Sequence, residues 1–334
     1  MHSAKFEAVT SNVTLANGAI LVDEYDPIIF DDVLRDFPVW NLIKKIPAVG
    51  DFTNGFDQTD VGAAHVADKR ALSYSATSPT RTARTPKEIK AIVRDLTFGL
   101  YDRSVYAQQG RKFGDLDAKD VRDCYVSCLR LWNQKFYTGD VTGDPLEFDG
   151  LNDTNLIGLG TIVEDNESIV KAIKNKVVAM INTSSSDVMP THVIVNAQAR
   201  EYISQEYRKD GDKFPESDAT FGQGANARTS RVQGIDTAAG FLPIVMDKFN
   251  TVYTGSSPNW YNTYIISADK LSWQYVEPLG MTGPDPKLFE IAQTNALDVQ
   301  HKCVMFGALE LLGGTTHHAR LRVEARTTVI SPTA

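Results

Sequence analysis

Long apolar runs are missing from this chain. The longest, 238–246, is interrupted by Pro243 and falls far short of the roughly 20 residues of a membrane-spanning helix. The first residues, MHSAKFEAVTSN, hold no apolar core of signal-peptide length. Cysteine is scarce: Cys124, Cys128 and Cys303 are odd in number and sit in apolar patterns. That argues against a disulfide framework and fits buried thiols in a reducing compartment. A surplus of positive charge is also lacking, with 34 Lys and Arg against 42 Asp and Glu and a net charge of -8. A surface that tracks phosphates needs the opposite balance, so general nucleic-acid binding is disfavoured, although standing near nucleic acid is not.

Constellations that carry chemistry are equally hard to find. Gly158-Leu-Gly160 and Gly222-Gln-Gly224 lack the strand–glycine–helix setting of a dinucleotide loop, and there is no Walker sequence. No nucleophile elbow or triad motif is present. His317 and His318 are adjacent, so on a strand they face opposite ways; no cysteine or carboxylate cluster joins them. They read as a solvated pair. Asp31 and Asp32 have no partnering base. Cys124 and Cys128 stand one helical turn apart, but no second ligand pair follows. No enzyme, cofactor or metal is expected.

What is present is organised around 117–140, DAKDVRDCYVSCLRLWNQKFYTGD. Val121, Cys124, Tyr125, Cys128, Leu131, Trp132 and Phe136 recur in steps of three and four, the period of an amphipathic helix. Asp117 stands as N-cap and Gly139 as the stop, giving a helix over 117–139 of about six turns. Cys128, Leu131, Trp132 and Phe136 are its expected core, lying under returning strands near Val304 and Val323.

Residues 1–50 form an acidic arm, with a short helix expected over 27–36. Phe52, Phe56, Leu72 and Tyr74 are the only large apolar residues between Asp51 and Pro86. That is too little for a core, so 51–95 is expected to be a projecting two-stranded hairpin stabilised by a neighbour. Its exit carries Arg81, Arg84, Lys87, Lys90 and Arg94, opposite in sign to Asp31, Asp32 and Asp36 of the arm. Such complementarity steers and registers contacts between subunits more than it adds affinity. From 162 the rhythm becomes α/β: a helix over 168–181, a strand at 191–195 and a helix capped by Asn196. Further strands follow at 244–246, 263–267 and 269–277, with long strands returning at 288–292, 297–306 and 320–330.

This order of parts resembles the major capsid proteins of tailed bacteriophages, the HK97-fold family. PKEIKAIVRDLTFGLYDRSVYAQQG (86–110) looks like the exit of that family's E-loop, and 117–137 like its spine helix. FDGLND (148–153) resembles the entry to the axial domain. THVIVNAQAREYIS (191–204) and SADKLSWQYVEP (267–278) resemble pieces further on, and FGALELLGGTTHHARLRVEA (306–325) the closing strands. The resemblance implies an α+β, HK97-like fold: N-terminal arm 1–50, E-loop 51–95, first peripheral part 96–150, axial domain 151–285 and peripheral return strands 286–334. It also implies a virion shell subunit assembled in a bacterial host cytoplasm, forming hexamers and pentamers of an icosahedral shell around phage double-stranded DNA. Portal and decoration proteins, and packaged DNA bound without sequence specificity, are partners it implies. The arm begins within a few residues of Met1, which implies a separate scaffolding protein. No membrane contact is implied. Two alternatives remain open at this stage: an encapsulin-type compartment holding protein cargo, and a soluble α/β enzyme with a hairpin lid.

Overall fold

A computed structural model describes residues 36–53, 55–60, 78–99, 104, 116–152, 156–182, 187–209, 233–250, 252–253, 259–278, 280–291 and 299–326. Of the arm expected over 1–50, residues 1–35 lie outside these residues, and with them Asp31, Asp32 and all but the last residue of the helix expected over 27–36. Asp36 is described and exposed. The described elements are, in chain order, α1 (Pro38–Leu42), β1 (Lys44–Pro47), β2 (Phe56–Asp60), β3 (Thr80–Ala83), β4 (Lys90–Phe98), α2 (Leu116–Thr138), β5 (Thr161–Val163), α3 (Ile169–Asn182), β6 (His192–Val195), α4 (Ala197–Lys209), β7 (Gly234–Thr237), β8 (Gly240–Met246), β9 (Val252–Tyr253), β10 (Trp260–Ile266), β11 (Leu271–Val276), β12 (Lys287–Ile291), β13 (Val299–Leu311) and β14 (Ala319–Glu324). They divide into two compact units, one holding Ala91–Leu131 and Pro278–Met305, the other Phe37–Lys90, Trp132–Glu277 and the chain from Phe306. α2 and β13 each run from one unit into the other.

In the first unit β12 pairs antiparallel with the first half of β13, from Lys287↔Val304 to Ile291↔Gln300. β4 pairs with β13 as well. The alternation expected along 87–100 is visible in β4, where Ile92 is buried between exposed Ala91 and Val93. Cys124 and Cys128 of α2 and Cys303 of β13 are free thiols and fully buried. The Cys128 thiol donates to the Cys303 carbonyl at 3.8 Å. Burial pushes Cys124 up from its ordinary pKa, which keeps it a protonated packing group.

The second unit contains a seven-stranded sheet in the order β5-β14-β10-β6-β8-β7, with β9 also paired to β10. α3 and α4 supply its apolar cover: Ile169, Ile173, Val177, Ala199 and Ile203 share one core with Val193, Val195, Ile265, Leu321 and Val323. Asn196 caps α4 as its position suggests, its Oδ1 accepting the Ala199 N–H at 2.7 Å. Two strand placements differ from expectation. β14 was expected among the returning strands over the long helix, but it pairs antiparallel with β10 (Trp260↔Glu324 to Ile265↔Ala319) and parallel with β5. β11 was expected with the α/β segment, but it pairs with the second half of β13 (Leu271↔Leu311 to Val276↔Phe306) and with β1. Period-two patterning identifies a strand and its two faces but carries no information about which distant strand completes its ladder.

α2 runs over Leu116–Thr138, so Asp117 lies within the helix rather than ahead of it. The C-terminal end is closed by the chain that follows. The N–H groups of Leu151, Asn152 and Gly150 reach the carbonyls of Phe136, Tyr137 and Gly139 at 2.8, 2.9 and 2.8 Å. A Cβ at Gly139 would stand 2.1 Å from the Phe148 carbonyl oxygen, so this approach admits only glycine. Within this unit Trp132 meets Trp40 edge-on at 4.7 Å between ring centroids, Trp273 edge-on at 5.7 Å and Phe136 stacked at 5.4 Å. Val323, expected near Trp132, belongs to the core of the seven-stranded sheet. Cys128, Trp132 and Phe136 are buried, whereas Leu131 is 40% exposed, a correction to the expected stripe. The buried set steps by four residues, and at roughly 100° per residue each step turns the face about 40° around the axis. By Phe136 and Tyr137 it has turned away from Leu131. Tyr137 donates to the buried Asp247 at 2.8 Å, and Asn133 donates to the same carboxylate at 3.3 Å.

Candidate functional site

The segment expected to work between subunits, 51–95, has its described part in the second unit up to Lys90. β2 and β3 pair antiparallel with each other as a separate two-stranded sheet, Phe56 opposite Ala83 and Asp57 opposite Thr82. Residues 61–77, between them, lie outside the described set. The sheet's root is held by reciprocal backbone bonds: Thr53 N–H donates to the Lys87 carbonyl at 2.8 Å and Ile89 N–H to that of Asp51 at 2.9 Å. Val49, Phe52 and Phe56 are exposed around it.

The basic residues divide into two groups. Arg84 is bound within its own chain, Nε to Asp57 at 2.6 Å and Nη1 to Glu310 at 2.7 Å. Glu310 is nearly buried on β13 and accepts a further bond from Gln274. Burial alone would lower the Arg84 pKa, but the hydrogen bonds it donates to Glu310 and Asp57, with their charges, outweigh it and raise it. A Cβ at Gly55 would stand 2.5 Å from Arg84 Nη1, so glycine there makes room for the guanidinium. Lys87 pairs with Asp149 at 3.3 Å, and Lys90 pairs with Glu88. Arg81 is exposed and donates to Gln58 at 3.3 Å. Arg94, in the first unit, is exposed and donates to Ser127 at 2.9 Å. The limb is therefore less open to a partner than its sequence suggests. Arg81 and Arg94 bond neutral side chains, while Arg84 is a clamp between the two-stranded sheet and β13. Glu310 was the missed signal: an acid within the apolar run of β13 (FGALELL) needs a buried partner.

His318 also departs from expectation. It is fully buried; its Nδ1 accepts the Ser267 N–H at 3.4 Å and its Nε2 meets the Leu312 carbonyl at 3.2 Å. Both ring nitrogens are used by the neutral form, and burial lowers its pKa to about 4 from 6.5. The unfolded chain takes up the proton first, so this contribution is whole above pH 6.5 and is lost as pH falls toward 4. The loss amounts to roughly 2 kcal/mol already at pH 5. Burial lowers His192 and His317 as well, in the same direction. Denaturant midpoints at pH 7.5 and pH 5 should therefore fall further for the wild type than for His318→Gln. Equal falls would assign the acid sensitivity elsewhere.

Among the described residues no group of three or more His, Cys, Asp or Glu is placed to hold a metal ion, and no helix is long and apolar enough to cross a membrane. No protein-family model matches the chain, and no curated protein matches it. Its fold does match solved structures. One is a capsid chain of cyanophage A-1(L), at 10% identity with a TM-score of 0.64, covering 90% of this chain and 96% of that one. Another is a chain of the holo-SrpI encapsulin complex of Synechococcus elongatus, at 11% identity with a TM-score of 0.58, covering 94% of each. A third is the capsid of a native GTA particle, at 11% identity and a TM-score of 0.58, covering 93% and 98%. The fold is the HK97-type fold common to phage capsids and encapsulins.

Proposed function

We propose that this chain is a major capsid protein, a structural subunit that assembles with copies of itself into hexamers and pentamers of an icosahedral shell around phage double-stranded DNA. The observation that supports this best is the fold match to a phage capsid chain over nearly the full length of both chains. In this reading β2 and β3 are the base of the E-loop, α2 is the spine helix and the seven-stranded sheet with α3 and α4 is the axial domain. Arg81, Arg94 and the exposed apolar residues Val49, Phe52 and Phe56 meet a neighbouring subunit, with the acidic Asp31, Asp32 and Asp36 as their counterpart. A scaffolding protein, a portal and a decoration protein complete the virion. The net charge of -8 keeps the shell from adhering to the DNA it encloses.

A second reading, an encapsulin-type compartment, is favoured by an equally extensive match to an encapsulin chain. Electron microscopy of the purified chain, alone and co-expressed with its neighbouring genes, tests both. Closed particles with nuclease-protected DNA support the capsid; closed particles with co-purified protein and no DNA support the compartment. Monomer under every condition would sink both.

Arg81→Glu and Arg84→Glu separate assembly from folding. Arg81→Glu should leave the stability of the isolated subunit, read from its denaturant midpoint, within the about ±0.5 kcal/mol usual for surface sites. It should lower particle yield, and more so at low salt. Arg84→Glu should cost about 1–3 kcal/mol of stability, because it leaves Glu310 buried without its cation. Wild-type particle yield from Arg81→Glu would remove that residue from the contacts.

A further inference from the structure

In the second unit an open cleft of about 500 Å³ lies between edge strand β5 and helix α3, lined by Ile162, Ala172 and Asn175 and flanked by Lys171 and Lys176, with one carboxylate, Glu167. That volume is in the range of pockets that enclose a ligand group, roughly 300–1,000 Å³. α3 reads IVKAIKNKVVAMIN, three lysines and no acid in a chain of net charge -8. Leu159, just before β5, and Val178, three residues beyond Asn175 on α3, are exposed large apolar residues. Among the described residues β5 pairs with β14 alone and ends the sheet, so one of its edges has no described strand partner.

The same unit presents a matching projection. After α2 the chain turns through 140–147, DVTGDPLE, and Leu146 stands 81% exposed there. Asp140 and Asp144 are exposed on the same turn. The turn is held rigid from within: Thr142 N–H donates to Asp140 Oδ1 at 2.8 Å, Leu146 N–H to Asp144 Oδ1 at 3.0 Å and Asp144 N–H to the Asp140 carbonyl at 2.9 Å. Glu147 pairs with Lys135, and Asp140 and Asp144 precede Leu146 on the turn. A preorganised apolar side chain that follows two acids on its turn complements in sign a cleft with an apolar floor and two lysines at its edge.

We propose that the 140–147 turn of a second copy docks Leu146 in the β5–α3 cleft, with Asp140 and Asp144 toward Lys171 and Lys176. Its own turn does not fill the cleft, because Leu146 is exposed in its own chain. The contact joins two different patches, so it is head-to-tail, the kind that generates rings where the rotation closes. The proposal rests on the shell reading and supplies a ring contact for it.

The test uses full-length chains carrying Leu146→Cys with Asn175→Cys, and Leu146→Cys with Ile162→Cys, assembled and then oxidised with glutathione disulfide. The three native thiols are buried and do not compete. Multimer ladders on a non-reducing gel, from either pair and from neither single variant, are expected. Leu146→Asp leaves the turn's backbone bonds in place and should raise the concentration needed for assembly by about tenfold or more, with an unchanged melting temperature. Particles without a crosslink from either pair, crosslinks confined to the monomer band, or normal assembly of Leu146→Asp would overturn the assignment. A wild-type chain that forms no particles would instead overturn the shell reading itself.

Discussion

Trp132→Ala is expected to remove about 3–5 kcal/mol of stability, the usual loss for a buried aromatic truncated in place. The side chain is fully buried and meets Trp40, Trp273 and Phe136 within 6 Å between centroids, so the void would have three aromatic walls that cannot close around it. Against a typical stability of roughly 5–15 kcal/mol, that loss should appear first as poor soluble expression and a lowered melting temperature. Trp132→Phe separates packing from polarity. The indole Nε1 of Trp132 is buried with no hydrogen-bond partner among the described residues, so phenylalanine keeps most of the contact area and removes a costly donor. Its loss should be well under half that of the alanine variant. Urea titrations of the three proteins decide the matter, and an alanine variant within about 1 kcal/mol of wild type would mean that this aromatic cluster is not a principal core.

Glu206→Ala is expected to cost a similar amount by a different route. Glu206 is fully buried on α4 and accepts the Ile169 and Val170 N–H groups at 2.9 and 3.1 Å and the Ser168 hydroxyl at 2.9 Å. It thereby caps the positive end of α3 with a charge, which helix polarity favours. Arg326, nearly buried, pairs with the same carboxylate and also donates to the Glu167 carbonyl. Alanine at 206 would leave a buried guanidinium without its counter-charge and two helix N–H groups without acceptors, a loss of about 3–5 kcal/mol. Glu206→Leu combined with Arg326→Met should recover part of it, because no unpaired charge then remains inside. A double variant less stable than Glu206→Ala would show that packing, not the uncompensated charge, sets the cost.

Glu206 also shows how far a sequence can be read. Ala199, Tyr202 and Ile203 identify the inward face of α4, and Glu206 follows on that face at three and four residues' spacing. An acid there announces a buried partner, but 120 residues separate it from Arg326, and no local pattern spans that distance. Glu310 and Arg84 repeat the case across 226 residues. The exposed, solvated character expected of Arg84 and of His318 failed for this reason: burial of a polar side chain is a property of its partners, not of its neighbours in sequence.

The chain's own order of residues determined the elements whose cause is local. α2, α3 and α4 follow from apolar spacing, the start of α4 from Asn196, the end of α2 from Gly139, and the paired strands β2 and β3 from a stretch too polar for a core. The resemblance to a shell fold was legible in their succession. Tertiary structure alone decided what depends on pairing at a distance: that β14 completes the seven-stranded sheet, that β11 joins β13, and that Leu131 faces out while Trp132 faces in. It also decided which charges of the basic limb are already matched within the subunit. Strand periodicity repeats every two residues and helix periodicity every 3.6, so each specifies a face. The neighbour that face meets is chosen by the chain as a whole, through the burial of area and the satisfaction of polar groups that only the assembled fold provides.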